Sequence, residues 1–185
     1  LKVSSFPPRI TRNVTLLAIT MAFVTACVSE SVQAAEGVST GVAVSVFERT
    51  CLAGLPNFSN FATLAGGVGL QKVRGSSVPD QVFQLPDQLI IASLAETPSG
   101  VVCVVTFESE DNAQQSGQAF LSAGTRFTSS AIKKRYPSSF LEYAVQLSNG
   151  SLIIHELREK NGAYRNTMII SGPVTDQEIR TLIYN

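Results

Sequence analysis

Two side chain types in this chain are weighed for covalent chemistry. There is one histidine, His155, and there are three cysteines, Cys27, Cys51 and Cys103. A thiolate beside an imidazole makes a nucleophile–base pair, so Cys51 or Cys103 with His155 is the constellation to weigh first. The local sequence speaks against it. Cys103 sits among Val101, Val102, Val104 and Val105, where burial raises a thiol's pKa and makes it inert. Cys51 follows Arg49, but nothing else nearby marks it as a nucleophile. His155 lies in the strand-like run LIIHEL, sharing a face with Ile153 and Leu157, where a lone histidine is most often structural or at the surface. No catalytic residue is assigned.

Other chemistries lack their residues. One histidine with so few cysteines makes no cluster of zinc-ligand spacing, and no metal or other cofactor is expected. The run Gly66-Gly67-Val68-Gly69 has neither the G-x-G-x-x-G spacing nor a following G-K-[ST], so it reads as a helix stop. No G-x-S-x-G is present, and tryptophan is absent. Glu108, Glu110 and Asp111 crowd a strand end just before a helix, a place that the helix dipole favours for acids. Lys133-Lys134-Arg135-Tyr136 reads as a solvated basic face.

The cysteines bear on compartment. Lys2, Arg9 and Arg12 precede an apolar run, Val14–Val28, too short for a membrane span of about 20 residues. Val32-Gln33-Ala34 then offers small residues at signal-peptidase spacing. Residues 1–34 therefore read as a signal peptide, cut between Ala34 and Ala35, with 35–185 a single domain. The alternative is a lipobox-like Val24-Thr25-Ala26-Cys27, in which Cys27 is lipidated and holds the chain to a membrane. Removing residues 1–34 takes three bases and one acid from fourteen of each, leaving a net charge of −2. That balance argues against nucleic acid as a partner. The exported chain retains Cys51 and Cys103, and an even count in an oxidising compartment favours a disulfide. A loop of about 50 residues would stabilise the fold by about 4 kcal/mol in the chain-entropy model.

The elements that must position these residues follow from spacing. Val44, Phe47, Cys51 and Leu55 step along one helical face, and Pro56 ends the helix. A second short helix runs from Asn57 or Ser59, as its cap, to the glycine run. Val82–Leu85 is a possible short strand. Gln88–Ala95 and Val101–Phe107 are the clearest strands, joined by Thr97-Pro98-Ser99-Gly100 as a hairpin turn. Cys103 shares a face with Val101, Val105 and Phe107. Both cysteines thus point with apolar residues, as a helix-to-sheet disulfide requires. Two inert buried thiols would look the same, and the export signal tips the balance.

Asp111, with Gln114 three residues on, reads as the cap of a helix reaching Arg126. Leu141–Leu147 alternates like a half-buried strand, and Asn149-Gly150 is a strong hairpin signal. Ser151–Glu159 returns, Asn161-Gly162 turns again, and Tyr164–Ser171 is the last strand. Thr175 and Glu178 form a capping box for a closing helix, Asp176–Ile183. The order α-α-β-β-α-β-β-β-α predicts an α+β fold of two layers, an antiparallel sheet of about five strands with helices on one face.

The arrangement Phe47-x-x-x-Cys51-Leu52-x-x-x-Pro56-x-Phe58 after a signal peptide, with Cys103 later in an apolar strand, resembles small exported proteins of Gram-negative bacteria, especially alphaproteobacteria. The resemblance implies periplasmic residence and a disulfide, and it transfers no active site. The expectation is a periplasmic or secreted protein, more a binding module than an enzyme. Its partner would be a protein, a cell-wall fragment or a small molecule. The alternative is a secreted hydrolase or thiol enzyme with a Cys–His pair.

Overall fold

The computed structural model describes residues 37–73, 81–109, 111–137, 141–160 and 163–184. The expected leader, its cleavage point at Ala34–Ala35 and Cys27 lie outside them, as do Glu110 and the Asn161-Gly162 turn.

The first helix, α1, spans Thr40–Phe47, and Ser39 caps it by accepting a hydrogen bond from Val42 N–H. It runs into a π turn, Glu48–Leu52, marked by Ala53 N–H donating to the Glu48 carbonyl at 3.0 Å. The wider turn brings Thr50, Cys51 and Leu52 all into the core, where an α-helix would turn one of three successive residues outward. Helix α2, Phe61–Gly67, follows with Asn60 as its N-terminal boundary and no side-chain cap, so neither Asn57 nor Ser59 has the capping role expected of it.

The strands are β1 (Gln71–Lys72), β2 (Val82–Gln84), β3 (Ile90–Thr97), β4 (Gly100–Ser109), β5 (Ile132–Tyr136), β6 (Tyr143–Leu147), β7 (Ser151–Lys160) and β8 (Ala163–Pro173). They form one antiparallel sheet in the order β1-β2-β3-β4-β8-β7-β6-β5. The five expected strands are β3, β4, β6, β7 and β8. The sheet has eight strands rather than about five. β1 is only two residues long, and β5 carries the basic run, which has no apolar alternation to announce it. A charged edge strand with a bulge, here between Ile132 and Lys134, is a usual protection against edge-to-edge pairing.

Helix α3, Ala113–Thr128, lies between β4 and β5 in the chain. Asn112 caps it, accepting from Gln114 N–H at 2.9 Å and Gln115 N–H at 3.4 Å. Asp111, the residue expected there, accepts instead from Thr40 N–H at 2.8 Å and joins the start of α1 to the start of α3.

Alternation along the strands sends residues to opposite faces. Val105, Phe107, Val145, Leu147, Ile153, Met168 and Ile170 pack against α1, the π turn, α2 and α3 in the main core. Phe120 sits edge-on to Phe47 at 5.2 Å and stacks on Phe107 at 5.5 Å between ring centres. Ala144, Leu152 and Ile154 point the other way and pack with Ile179 and Ile183 of α4, Asp176–Tyr184. The expectation of helices on one face fails at α4. Its apolar pair, four residues apart, needs an apolar floor, and strands apolar on both faces supply it. The fold has three layers over β6–β8.

Candidate functional site

The Cys51 and Cys103 sulfurs form a disulfide, with their α carbons 5.4 Å apart. Both residues are fully buried. The π turn delivers Cys51, while Cys103 lies on β4 between Leu94 of β3 and Ile170 of β8 in register. Thr50 donates from its hydroxyl to the Val46 carbonyl at 2.6 Å, which keeps this buried polar group satisfied beside the bond. Each sulfur is the other's partner, so neither is a thiolate nucleophile in this state.

His155 is placed elsewhere. It lies on β7, opposite Tyr143 of β6 and Met168 of β8, and is 1% exposed. Its Nε2 lies 2.9 Å from Asn166 Oδ1. The Asn166 amide nitrogen donates to the Tyr164 carbonyl, which fixes the amide so that its oxygen faces the ring. Nε2 therefore donates. The Tyr143 ring is 5.4 Å from the imidazole, and its hydroxyl donates to the Gly117 carbonyl of α3 at 2.7 Å. Burial pushes the imidazole's pKa below its ordinary value. The hydrogen bond to Asn166 and the carboxylates of Glu142 and Glu156 oppose that shift without cancelling it. Burial also pushes the Tyr143 phenol well above its ordinary value, against a smaller effect of Arg135. The group is a polar island in the core, in which the imidazole Nε2 is partnered by the Asn166 amide and the phenol by the Gly117 carbonyl. The Cys–His constellation is not assembled.

Glycine makes this island possible. A Cβ built on Gly117 would stand 2.7 Å from His155 Nδ1 and 3.0 Å from Tyr143 Cε1, and one on Gly124 would run into Ile153 Cδ1. The two glycines are seven residues apart, two turns of α3, and let the helix settle closely on β7. Sequence reasoning passed over Gly117, Tyr143 and Asn166. The glycine pair at a two-turn interval was the signal that could have found the first.

The carboxylates are also tied. Glu108 accepts from Arg165 Nη2 at 2.6 Å and Nε at 3.2 Å. The Thr40 N–H holds the Asp111 carboxyl below its usual range. On β5, the Lys134 ammonium lies 4.6 Å over the Tyr136 ring and 3.9 Å from Asp176. Among the described residues, no three His, Cys, Asp or Glu side chains are grouped to hold a metal ion.

One open cleft combines volume with irregular backbone. It holds about 320 Å³ and is lined by Leu52 at the end of the π turn, Leu55 and Pro56 after it, Phe127 near the end of α3, Asn149 in the β6–β7 turn and Pro173 ending β8. Phe127 is 50% exposed at its rim. Phe58 and Ser129, which follow its lining residues Pro56 and Thr128 in the chain, take positive φ values of 57° and 50°, the second as the left-handed cap that ends α3. A left-handed phenylalanine is uncommon, and such residues gather at sites where surrounding structure fixes them for use. Asn149 Oδ1 is engaged by Ser151 N–H, and Thr128 Oγ1 donates to Gly124 O, leaving a wall that is mostly carbon. A cleft of this size and lining suits a small, largely apolar ligand or side chain.

No protein-family model matches the chain, and no curated protein or solved structure is similar enough to match it.

Proposed function

We propose that this chain is an exported domain, resident in the periplasm or secreted, that works by binding rather than by turnover. The observation that carries this reading is the fully buried Cys51–Cys103 bond. It is a feature of chains that mature in oxidising surroundings, and it takes both sulfurs away from His155. The cleft beside Pro56 and Phe127 is the binding face in this reading, with a short apolar segment or a cell-wall fragment as its ligand. No described helix is long and apolar enough to cross a membrane.

Intact mass of the exported protein, alkylated with and without prior reduction, tests the export reading. A chain beginning at Ala35, with two thiols alkylated only after reduction, is expected. Thiols that react before reduction would overturn it. A mass beginning at Cys27 with acyl chains would replace free residence by a lipid anchor. The cleft is tested by titrating ¹⁵N-labelled protein with a panel of short apolar peptides and muropeptides. Shifts confined to Leu52, Phe127 and Asn149 are expected, and none across the panel at millimolar concentration would sink the cleft as the binding face.

A further inference from the structure

The polar island in the core links two elements that nothing covalent joins. The π turn is bonded to β4 through Cys51–Cys103. Helix α3 has no such tie. It rests on the sheet through Phe120, the close approaches at Gly117 and Gly124, and the Tyr143 hydroxyl on the Gly117 carbonyl. His155 stands in that contact, its Nε2 committed to Asn166 and its Nδ1 2.7 Å from where a Cβ on Gly117 would stand.

We propose that His155 is an acid-responsive latch for α3, so that protonation at Nδ1 frees the helix from β6 and β7 while the disulfide-held π turn and β4 stay in place. A proton added there makes a second N–H packed against Gly117, whose carbonyl already accepts from Tyr143. The charge would be buried, and burying an unpaired charge is costly enough to favour the neutral form or the open state.

The charged groups around the ring are few. From β6 and β7, Glu142 and Glu156 favour the charged form, but less than burial opposes it. From β5, Arg135 acts on the neighbouring Tyr143. From β8, the facing groups are the neutral Asn166 and Met168. Helix α3 has no ionisable side chain before Arg126, which pairs with Glu48. Among the described residues, no carboxylate is hydrogen-bonded to the ring to hold the proton.

The sign follows from linkage. The closed state has the depressed imidazole pKa and the opened state the ordinary value of 6.5. Closure is at full strength above pH 6.5, and it weakens as pH falls from there toward the closed-state pKa. Phe127 and Thr128 of α3 also line the cleft, so opening reshapes it. That consequence rests on the binding reading given above, whereas the latch itself does not.

Amide exchange with the disulfide intact tests the latch, alongside an NMR titration of the imidazole, which is unambiguous because His155 is the sole histidine. Between pH 7.5 and 5.5, protection factors across α3 are expected to fall by up to about tenfold, while those of β4 and the π turn hold. His155→Gln should flatten the α3 response. Asn166→Asp, which places a carboxylate on Nε2 and raises the closed-state imidazole pKa toward or above 6.5, should shrink the response or reverse its sign. The latch is overturned if wild-type α3 protection does not change over this range, if β4 loses protection equally, or if His155→Gln keeps the full response. Wild type alone decides the first two, whichever variants fold. Loss of cleft ligands at every pH would count against the binding reading and not against the latch.

Discussion

Gly172 lies directly under the carbonyl of Pro56. A Cβ built on Gly172 would stand 2.5 Å from that oxygen and 3.6 Å from its carbon. The end of β8 and the chain leaving the π turn therefore meet backbone to backbone, beside the cleft that both help to line. Neither partner is a flexible side chain tip that could swing away.

Gly172→Ala should accordingly cost about 1–3 kcal/mol, the range for forcing extra carbon into a packed site. Gly41→Ala is the control. Gly41 lies in α1 with nothing within 4 Å of an added Cβ, so alanine should be neutral or stabilise by up to about 1 kcal/mol through helix propensity. Urea unfolding of both variants checks the pair. A neutral Gly172→Ala would mean that Pro56 does not rest on β8 as described.

Removing the disulfide should also be a large loss. The joined residues are 52 apart in sequence, and closing a loop of that length is worth up to about 4 kcal/mol in the chain-entropy picture. The double variant Cys51→Ala/Cys103→Ala leaves no unpaired thiol to confuse the comparison. Its urea midpoint against that of the oxidised wild type gives the loss directly. A loss under about 1 kcal/mol would show that the sheet and α1 hold together without the bond.

How far the sequence foretold this structure varies along the chain for physical reasons. The β3–β4 hairpin and the β6–β7–β8 meander were legible because alternation and turn chemistry are local. The Cys51–Cys103 pairing was legible because, with Cys27 read as part of the leader, the two remaining cysteines allow only one bond. Strand β5 was not, since Ile132-Lys133-Lys134-Arg135-Tyr136 is an edge strand whose side chains are mostly solvated. The side of the sheet on which α4 packs was hidden for another reason. Leu152 and Ile154 are apolar as Ile153 is, and a strand apolar on both faces leaves its outer layer to tertiary packing. The partnership of His155 with Asn166 depends on strand register across β7 and β8, which spacing along one strand cannot reveal.

The start of α3 gives the capping role expected of Asp111 to its neighbour Asn112. Asn112 takes the N–H groups of Gln114 and Gln115, and Asp111 takes that of Thr40. Asn112→Ala should cost about 1 kcal/mol, the usual loss of a helix cap, and should raise amide exchange in the first turn of α3. Asp111→Ala should instead loosen the first turn of α1 and leave α3 protected. Because the Asp111 carboxyl is held below its ordinary range, its contribution is present above the unfolded carboxylate pKa and is lost as pH falls through the lowered value. Exchange measured residue by residue decides the assignment. Equal loosening of α3 by both variants would return the capping role to Asp111.

Helix α4 makes the outer face of the sheet unequal. It buries Ala144, Leu152 and Ile154 beneath Ile179 and Ile183. On the β3 side of the same face, Ile91, opposite Thr106 of β4, is 37% exposed. Truncating Ile179, which is fully buried, to alanine removes core volume and should cost about 2–5 kcal/mol. Truncating Ile91 to alanine on the open part of the face should stay within about 0.5 kcal/mol. The difference between the two urea midpoints measures how firmly α4 is docked. Similar small effects at both positions would mean that α4 does not form a third layer in solution, and that the outer face is open across its whole width.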